Sequence, residues 1–113
     1  MPSKILFYSS SNGRQYVINF IKKLDQKTQA NCLHLIDILE KYGNEIERKY
    51  SKKIIYNLYE LRILGKKQVR IFYTINNNSI ILLHGFIKKS NRIPQKELEI
   101  AKRRLKDINI DKL

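Results

Sequence analysis

Apolar residues recur at intervals of three and four in two stretches of the first half of the chain. This spacing predicts two amphipathic helices, because it gathers the apolar side chains on one helical face. Ser11 or Asn12 is the expected N-cap of the first helix, Asp25 caps the second, and Gly43 suits the position after its end. The connection is short, so antiparallel packing is expected. The two stripes are Val17, Phe20, Ile21 and Leu24, then Cys32, Leu35, Ile36, Leu39 and Tyr42.

The second half of the chain alternates apolar and polar residues, which predicts strands over residues 54–64, 67–75 and 79–88. "GKK" and "NNN" supply the turns, and "KILFYSS" near the start is a further strand candidate. The segment "NEIERKYSKK" is interpreted as a polar connection. Pro94 suits the first position of a last helix, whose apolar stripe is Leu98, Ala101 and Leu105. The order β-α-α-β-β-β-α predicts one α+β domain over residues 1–113, with helices covering one side of an antiparallel sheet.

Two arginines lie in the middle of neighbouring predicted strands. A turn centred near Lys66 aligns the apolar sets of the two strands and thereby places Arg62 directly opposite Arg70. The aligned apolar pairs are Ile63 with Val69, Leu61 with Ile71 and Tyr59 with Tyr73. A shift of one residue would turn the arginines into the core, which the cost of burying charge forbids.

Like charges that face each other across a sheet destabilise it. An anion between Arg62 and Arg70 would remove the conflict, because two planar guanidinium groups bind a phosphate well. The pattern leaves a plainer interpretation open, in which both arginines point into solvent or pair with Glu60 and another acid. Lys88 and Lys89 end the third strand of this region. His84 lies beside Arg70 or on the core side, depending on the parity of the "NNN" turn.

The charge balance favours an anionic partner. Lysine and arginine number 23 against 10 acidic residues, a formal net charge of +13 in 113 residues. Such a charge repels itself in a compact chain, so nucleic acid is the first candidate partner and an anionic membrane surface the second. The abundance of lysine, isoleucine and asparagine is also compatible with biased codon usage. No signal-peptide core or membrane-spanning run is present, so cytoplasm is the expected location. The single Cys32 is expected to be a small buried side chain, and His34 a surface or packing residue.

Three motifs in order now carry a resemblance: "LYELRI", "VRIFY" and "IILLHGFIKKSNRIPQKELEIAKRR". With these separations the chain resembles the phage-derived HigB-type branch of the RelE/ParE toxin superfamily, most strongly over residues 58–104. The resemblance implies a type II toxin that cleaves mRNA on the ribosome without a metal or other cofactor. It also implies a cognate antitoxin, typically a helix-turn-helix HigA-like protein, in a hetero-oligomeric complex. Ribosome and mRNA are the other implied partners, with no membrane involved.

The resemblance also assigns roles to individual residues. Arg62 and Arg70 match the sheet positions where the superfamily places phosphate-contacting basic residues, and Lys88 and Lys89 match those that follow the last strand. Glu60 stands where RelE has a basic residue. No residue near the C-terminus clearly matches the late tyrosine of RelE.

Metal-free RNA cleavage requires a base for the 2′-hydroxyl, cations for the developing phosphate charge and an acid for the leaving oxygen. Glu60 is the candidate base, and Lys88, Lys89 or His84 the candidate acid. The sequence contains no set of residues with metal-ligand spacing and no P-loop. Basic residues that flank the site or line the last helix are candidate RNA contacts, or else a solvated helix face: Arg92, Lys96, Lys102, Arg103 and Arg104.

Two other functions are compatible with the sequence. One is a ParE-like inhibitor of DNA gyrase, although such proteins tend to lack the cationic set of the sheet. The other is a non-catalytic, basic RNA- or ribosome-binding protein, whose tyrosines would stack on bases. Tyr59 and Tyr73 alternate with core residues, however, and are expected to be packing residues.

Overall fold

Five strands and three helices make up residues 3–111, the part of the chain that the computed structural model describes, with side chains described up to residue 108. A single 3₁₀ turn, Gly43–Glu45, follows the second helix. Among the described residues no helix is both long and apolar enough to cross a bilayer. In chain order the elements are β1 (Lys4–Phe7), α1 (Tyr16–Lys22), α2 (Gln26–Tyr42), β2 (Ser51–Ile55), β3 (Leu58–Ile63), β4 (Val69–Asn76), β5 (Ser79–Ile87) and α3 (Gln95–Asp111).

The strands form one sheet in the order β1-β5-β4-β3-β2. Strands β2 to β5 are an antiparallel meander, and β1 joins the edge of β5 in parallel. The α+β class is confirmed, and the sheet is mixed because of β1. The prediction had one strand over residues 54–64, whereas the structure has a hairpin there. Its turn passes through Asn57, whose φ of 63° only a few residue types adopt readily. Strand β2 therefore includes residues that the sequence analysis assigned to a connection.

The helix ends test the capping predictions. Asp25 is confirmed as the N-cap of α2, since its carboxylate accepts hydrogen bonds from the Thr28 amide at 3.1 Å and the Thr28 hydroxyl at 2.7 Å. Gly43 ends α2 with a φ of 55° and donates its amide hydrogen to the Leu39 carbonyl. The caps predicted for α1 are wrong: the N-cap is Gln15, which makes no side-chain capping bond.

The helices cover both faces of the sheet, so the predicted one-sided arrangement is wrong. Helices α1 and α2 pack on one face, around fully buried residues such as Val17 and Leu39. Helix α3 packs on the other face, where Phe72, Leu83 and Ala101 are fully buried. Because Phe72 and Arg70 are two apart on β4, this second face is the one that carries the arginines. Helix α3 thus covers part of the arginine face.

A β-bulge in β5 decides where His84 points. Phe72 pairs with His84 and Tyr73 pairs with Leu82, so Leu83 has no partner on β4. The extra residue shifts the alternation and places His84 on the α3 face of the sheet. Gly85 then lies under the ring of Phe20 from α1, and a Cβ atom there would stand 2.6 Å from Phe20 Cδ2. Any larger residue at this position would require the Phe20 ring to move.

Candidate nucleic-acid interface

The predicted register of β3 and β4 is confirmed. Arg62 pairs with Arg70 across the two strands, and neither side chain points into the core between the sheet and helices α1 and α2. The apolar pairs also occur as expected: Ile63 with Val69, Leu61 with Ile71 and Tyr59 with Tyr73. Alternation of side chains was sufficient to place the arginines because a one-residue slip would have inverted both faces.

Glu60 lies between the two arginines. Its Oε1 accepts a hydrogen bond from Arg62 Nε at 3.1 Å, and its Oε2 lies 3.8 Å from Arg70 Nε. The side chain of Glu60 is only 1% exposed, whereas that of Arg62 is 31% exposed. The buried carboxylate of Glu60 therefore reduces the repulsion between the two arginines. Two cations share one carboxylate, so the group formed by Glu60, Arg62 and Arg70 keeps one net positive charge.

Arg70 is fixed by one backbone acceptor and one side-chain acceptor from its neighbours on the chain. Its Nη1 donates to the Val69 carbonyl at 3.1 Å and its Nη2 to Gln68 Oε1 at 3.2 Å. Burial lowers the pKa of Arg70, Glu60 opposes that shift, and Arg62 adds to it. An arginine is not deprotonated in proteins, so Arg70 remains a cation. Of the two arginines, Arg62 is the one that reaches solvent.

His84 lies in a hydrogen-bonded chain under α3. Its Nε2 is 2.7 Å from Glu97 Oε1, and its Nδ1 is 3.3 Å from Arg104 Nη1. A guanidinium only donates, so Nδ1 accepts and the proton is on Nε2, which donates to Glu97. Burial is the largest cause of the lowered pKa of His84, Glu97 opposes it and Arg104 reinforces it. His84 is therefore a neutral imidazole with both nitrogens engaged.

Lys88 and Lys89 follow the end of β5. The Lys88 amide donates to the Gln68 carbonyl at 2.7 Å, so the pairing with the β4 side continues past the strand. Because Lys88 is level with Gln68, alternation places its side chain on the face of Arg70. Lys89 lies beyond the strand and is exposed. The sheet therefore places Lys88 on the arginine face.

The basic residues around α3 divide into two kinds. Arg92, Lys96 and Arg103 are exposed, and Lys102 lies 3.8 Å from Glu99 in an exposed ion pair. Arg104 instead reaches into the molecule. It donates to the Leu83 carbonyl at 2.8 Å, and its guanidinium carbon lies 4.0 Å from the centre of the Tyr16 ring. Burial lowers the pKa of Arg104, with Tyr16 and Tyr8 opposing. Arg104 therefore connects α3 to the sheet and to α1.

Arg103→Ala and Arg104→Ala should have different effects although each removes one positive charge from the same helix. Arg104→Ala is expected to lower the free energy of unfolding by about 1–3 kcal/mol, because it removes the donor to a half-buried carbonyl and its stacking on Tyr16. Arg103→Ala should leave stability within about 0.5 kcal/mol and weaken RNA binding instead. Chemical denaturation and RNA titration of both variants measure this. Equal stability of the two variants would contradict the structural role of Arg104.

Three predictions about residues outside the basic face are confirmed. Tyr59 and Tyr73 stack at 5.3 Å between ring centres, and Tyr73 is almost fully buried. Cys32 is buried, and burial raises the pKa of its thiol to about 11, which makes it a poor nucleophile. His34 is exposed on α2. Within the described part of the chain, no three His, Cys, Asp or Glu side chains lie where they could hold a metal ion together.

The sequence analysis missed Lys52. This residue was assigned to a connection, but on β2 it pairs with Glu60 and so shares the face of Arg62 and Arg70. The signal that could have found it is the Tyr56-Asn57 dipeptide between two apolar runs, since Asn readily adopts the positive φ of a tight hairpin.

The five-stranded sheet with helices on both faces is a RelE-like fold. The chain matches, over residues 19–106, the family described as "Phage derived protein Gp49-like (DUF891)". It therefore belongs to that phage-derived family, and the resemblance to the HigB-type branch of the RelE/ParE toxin superfamily is confirmed.

A solved structure supports the fold. The chain is similar to one in the crystal structure of the archaeal RelE-RelB complex from Pyrococcus horikoshii OT3, with a TM-score of 0.55 and 22% identity. The similarity covers 82% of this chain and 100% of the archaeal one. No curated relative matches the chain.

Proposed function

We propose that the protein is the toxin of a type II toxin–antitoxin system, a ribosome-dependent endoribonuclease that cleaves mRNA without a metal. The observation that carries the proposal is the group formed by Glu60, Arg62 and Arg70 on the sheet. It keeps one net positive charge and offers a partly exposed guanidinium, which is a suitable partner for a phosphate. Membership of the Gp49-like family and the RelE-like fold support the same class.

In this proposal the 2′-hydroxyl of the mRNA attacks the neighbouring phosphorus while the bond to the 5′-oxygen breaks. Arg62 holds the phosphate and stabilises the charge that develops on its oxygens. Arg70, fixed by Val69 and Gln68, adds a second positive charge beside Arg62. The products are a 2′,3′-cyclic phosphate and a free 5′-hydroxyl, so one proton leaves the 2′-oxygen and one reaches the 5′-oxygen.

The proton transfers need groups that reach the substrate. Glu60 is buried and both its oxygens face guanidinium groups, so we assign it a positioning role. His84 has both ring nitrogens engaged by Glu97 and Arg104. Lys88, on the arginine face at the end of β5, is then the first candidate to protonate the leaving oxygen. Lys89 and the exposed residues Arg92, Lys96, Lys102 and Arg103 are proposed to contact RNA more remotely.

We also propose that an antitoxin binds this chain. The archaeal protein of similar fold was crystallised as a complex with RelB. The HigB-type resemblance suggests a helix-turn-helix, HigA-like antitoxin in a hetero-oligomer for this chain. A reading frame for such a protein next to the toxin gene would support the pairing.

The test is cleavage of mRNA in the A site of purified ribosomes, with the Mg²⁺ that ribosomes need and a chelator that removes transition metals. We expect cleavage that persists with the chelator, leaves a 2′,3′-cyclic phosphate, and stops when the scissile nucleotide lacks its 2′-hydroxyl. A metal-activated water would still cleave the 2′-deoxy substrate. DNA damage with intact mRNA would identify a gyrase inhibitor, and ribosome binding without cleavage a non-catalytic protein.

A further inference from the structure

The edge strand β2 adds a cation to the arginine face. The Cα atoms of Lys52 and Glu60 are partners in the register of β2 and β3, so the Lys52 side chain lies on the same face as Arg62 and Arg70. Lys52 is exposed, as an edge position with a lysine usually is. The plain interpretation is that Lys52 only protects the edge of the sheet.

The charges on this face argue for more than edge protection. Glu60 is engaged by Arg62 and Arg70 and is 1% exposed, so it does not neutralise Lys52. Among the described side chains, neither Lys52 nor Lys88 forms an ion pair with an acid. The carboxylate of Glu60 is therefore accompanied by four cations, one from each of four adjacent strands or their ends. They are Lys52 on β2, Arg62 on β3, Arg70 on β4 and Lys88 after β5.

These cations follow a diagonal line across the sheet. Lys52 is level with Glu60, two residues from the level of Arg62 and Arg70, and Lys88 is level with Gln68, two residues to the other side. Neighbouring strands lie about 4.8 Å apart and residues rise about 3.3 Å along a strand, so the diagonal from Lys52 to Lys88 spans roughly 20 Å. Phosphates of a stacked nucleic-acid strand follow each other at about 3.4 Å along its axis, so this length corresponds to several phosphates. A mononucleotide would occupy only part of it.

We propose that Lys52 is a phosphate-contacting residue, and that a single strand of RNA crosses the sheet diagonally, from Lys88 to Lys52. The inference rests on the proposed function and deepens it, because it says how the RNA strand runs over the sheet and that its path ends at Lys52. Lys52 is not assigned a part in the bond-breaking step.

Lys53 offers a matched control. It is the next residue on β2, is exposed, and has the same charge, but its Cα partner is Tyr59, which packs on the α1 and α2 side of the sheet. Its ammonium lies 6.0 Å from the centre of the Tyr56 ring. Lys52→Ala and Lys53→Ala therefore remove the same charge from the same strand on opposite faces.

The experiment measures binding of a single-stranded RNA decamer, 2′-O-methylated throughout so that it resists cleavage, between about 50 and 200 mM salt. Lys52→Ala is expected to weaken binding several-fold at low salt and to reduce the slope of log K against log salt by about 0.7, one contact for a single strand. Lys53→Ala should leave the slope unchanged.

Equal slopes for Lys52→Ala and wild type, or equal losses for the two lysine variants, would overturn the role of Lys52. The outcome is separable from the proposed function. Wild type that binds the decamer with the expected slopes but leaves ribosomal mRNA intact would reject the nuclease and keep the binding path. Wild type that cleaves ribosomal mRNA but binds the decamer without salt dependence would reject the path and keep the nuclease.

Discussion

Arg62→Ala is expected to abolish growth arrest and to slow single-turnover cleavage of A-site mRNA by about 10²–10³-fold. This is the usual effect of removing one donor to the charge that develops in a transition state. Arg62 is 31% exposed, and its Nε contact with Glu60 leaves the two terminal nitrogens of the guanidinium for a phosphate. The measurement is the rate constant at saturating toxin, together with growth of cells that express the variant.

Two further variants control for this result. Arg62→Lys keeps the charge but not the planar fork, so it should recover only part of the rate. Arg48→Ala removes an exposed arginine from the connection before β2 and should leave the rate unchanged. Toxicity that persists in a folded Arg62→Ala variant would reject the phosphate contact.

Arg70 is a less suitable residue than Arg62 for a mutational test of the phosphate contact, although the two arginines face each other in the register of β3 and β4. Both lie off the apolar core, and on that ground alone removing either would cost less than about 1 kcal/mol of stability. Arg70 is instead nearly buried and faces the buried Glu60. Taking away one member of a buried charged group costs about 3–5 kcal/mol, because it leaves an uncompensated charge. Loss of activity in Arg70→Ala would therefore not separate function from folding.

The sequence predicted the parts of the fold that depend on periodicity. Alternation fixed the register of β3 with β4, since one slipped residue would bury charge, and Asp25 identified the start of α2. The apolar stripe of α3 shows which side of the helix is buried but not which face of the sheet it covers. Strand β2 was missed because an edge strand with lysines has almost no apolar signal of its own.

The site was predictable only in part for similar reasons. The spacing of Glu60 and Arg62 places them on one face, but the distances that make Glu60 a shared counterion depend on the partner strand. Arg104 looked like a surface cation on a helix. Its role follows from the bulge at Leu83, which leaves that residue without a partner on β4 and its carbonyl free to accept from Arg104. Gly85 is the one signal of irregularity in β5, since glycine inside a strand often marks a bulge, but it does not show which residue loses its partner.

Glu60→Gln separates a positioning residue from a general base, because glutamine keeps the shape of glutamate and can neither take a proton nor carry a charge. We expect the variant to lose about 3 kcal/mol or more of unfolding free energy, since Arg62 and Arg70 would then face each other without a buried anion. Misplacement of Arg62 should also weaken substrate binding. The pH dependence of the single-turnover rate should nevertheless match that of wild type, because the proton transfers are made by groups other than Glu60.

Glu60→Asp is the matched control for this experiment. It keeps the negative charge on a shorter side chain, so it should recover much of the stability and binding that glutamine loses. Chemical denaturation and single-turnover cleavage at saturating toxin, measured across pH for both variants, test the assignment. If Glu60 were the base, the opposite pattern would be seen. The Glu60→Gln variant would then cleave about 10²-fold more slowly at saturating toxin and would lose the pH dependence of wild type, while its stability would be nearly unchanged. The burial of Glu60 between two guanidinium groups favours the first pattern, since a base must reach the hydroxyl whose proton it takes.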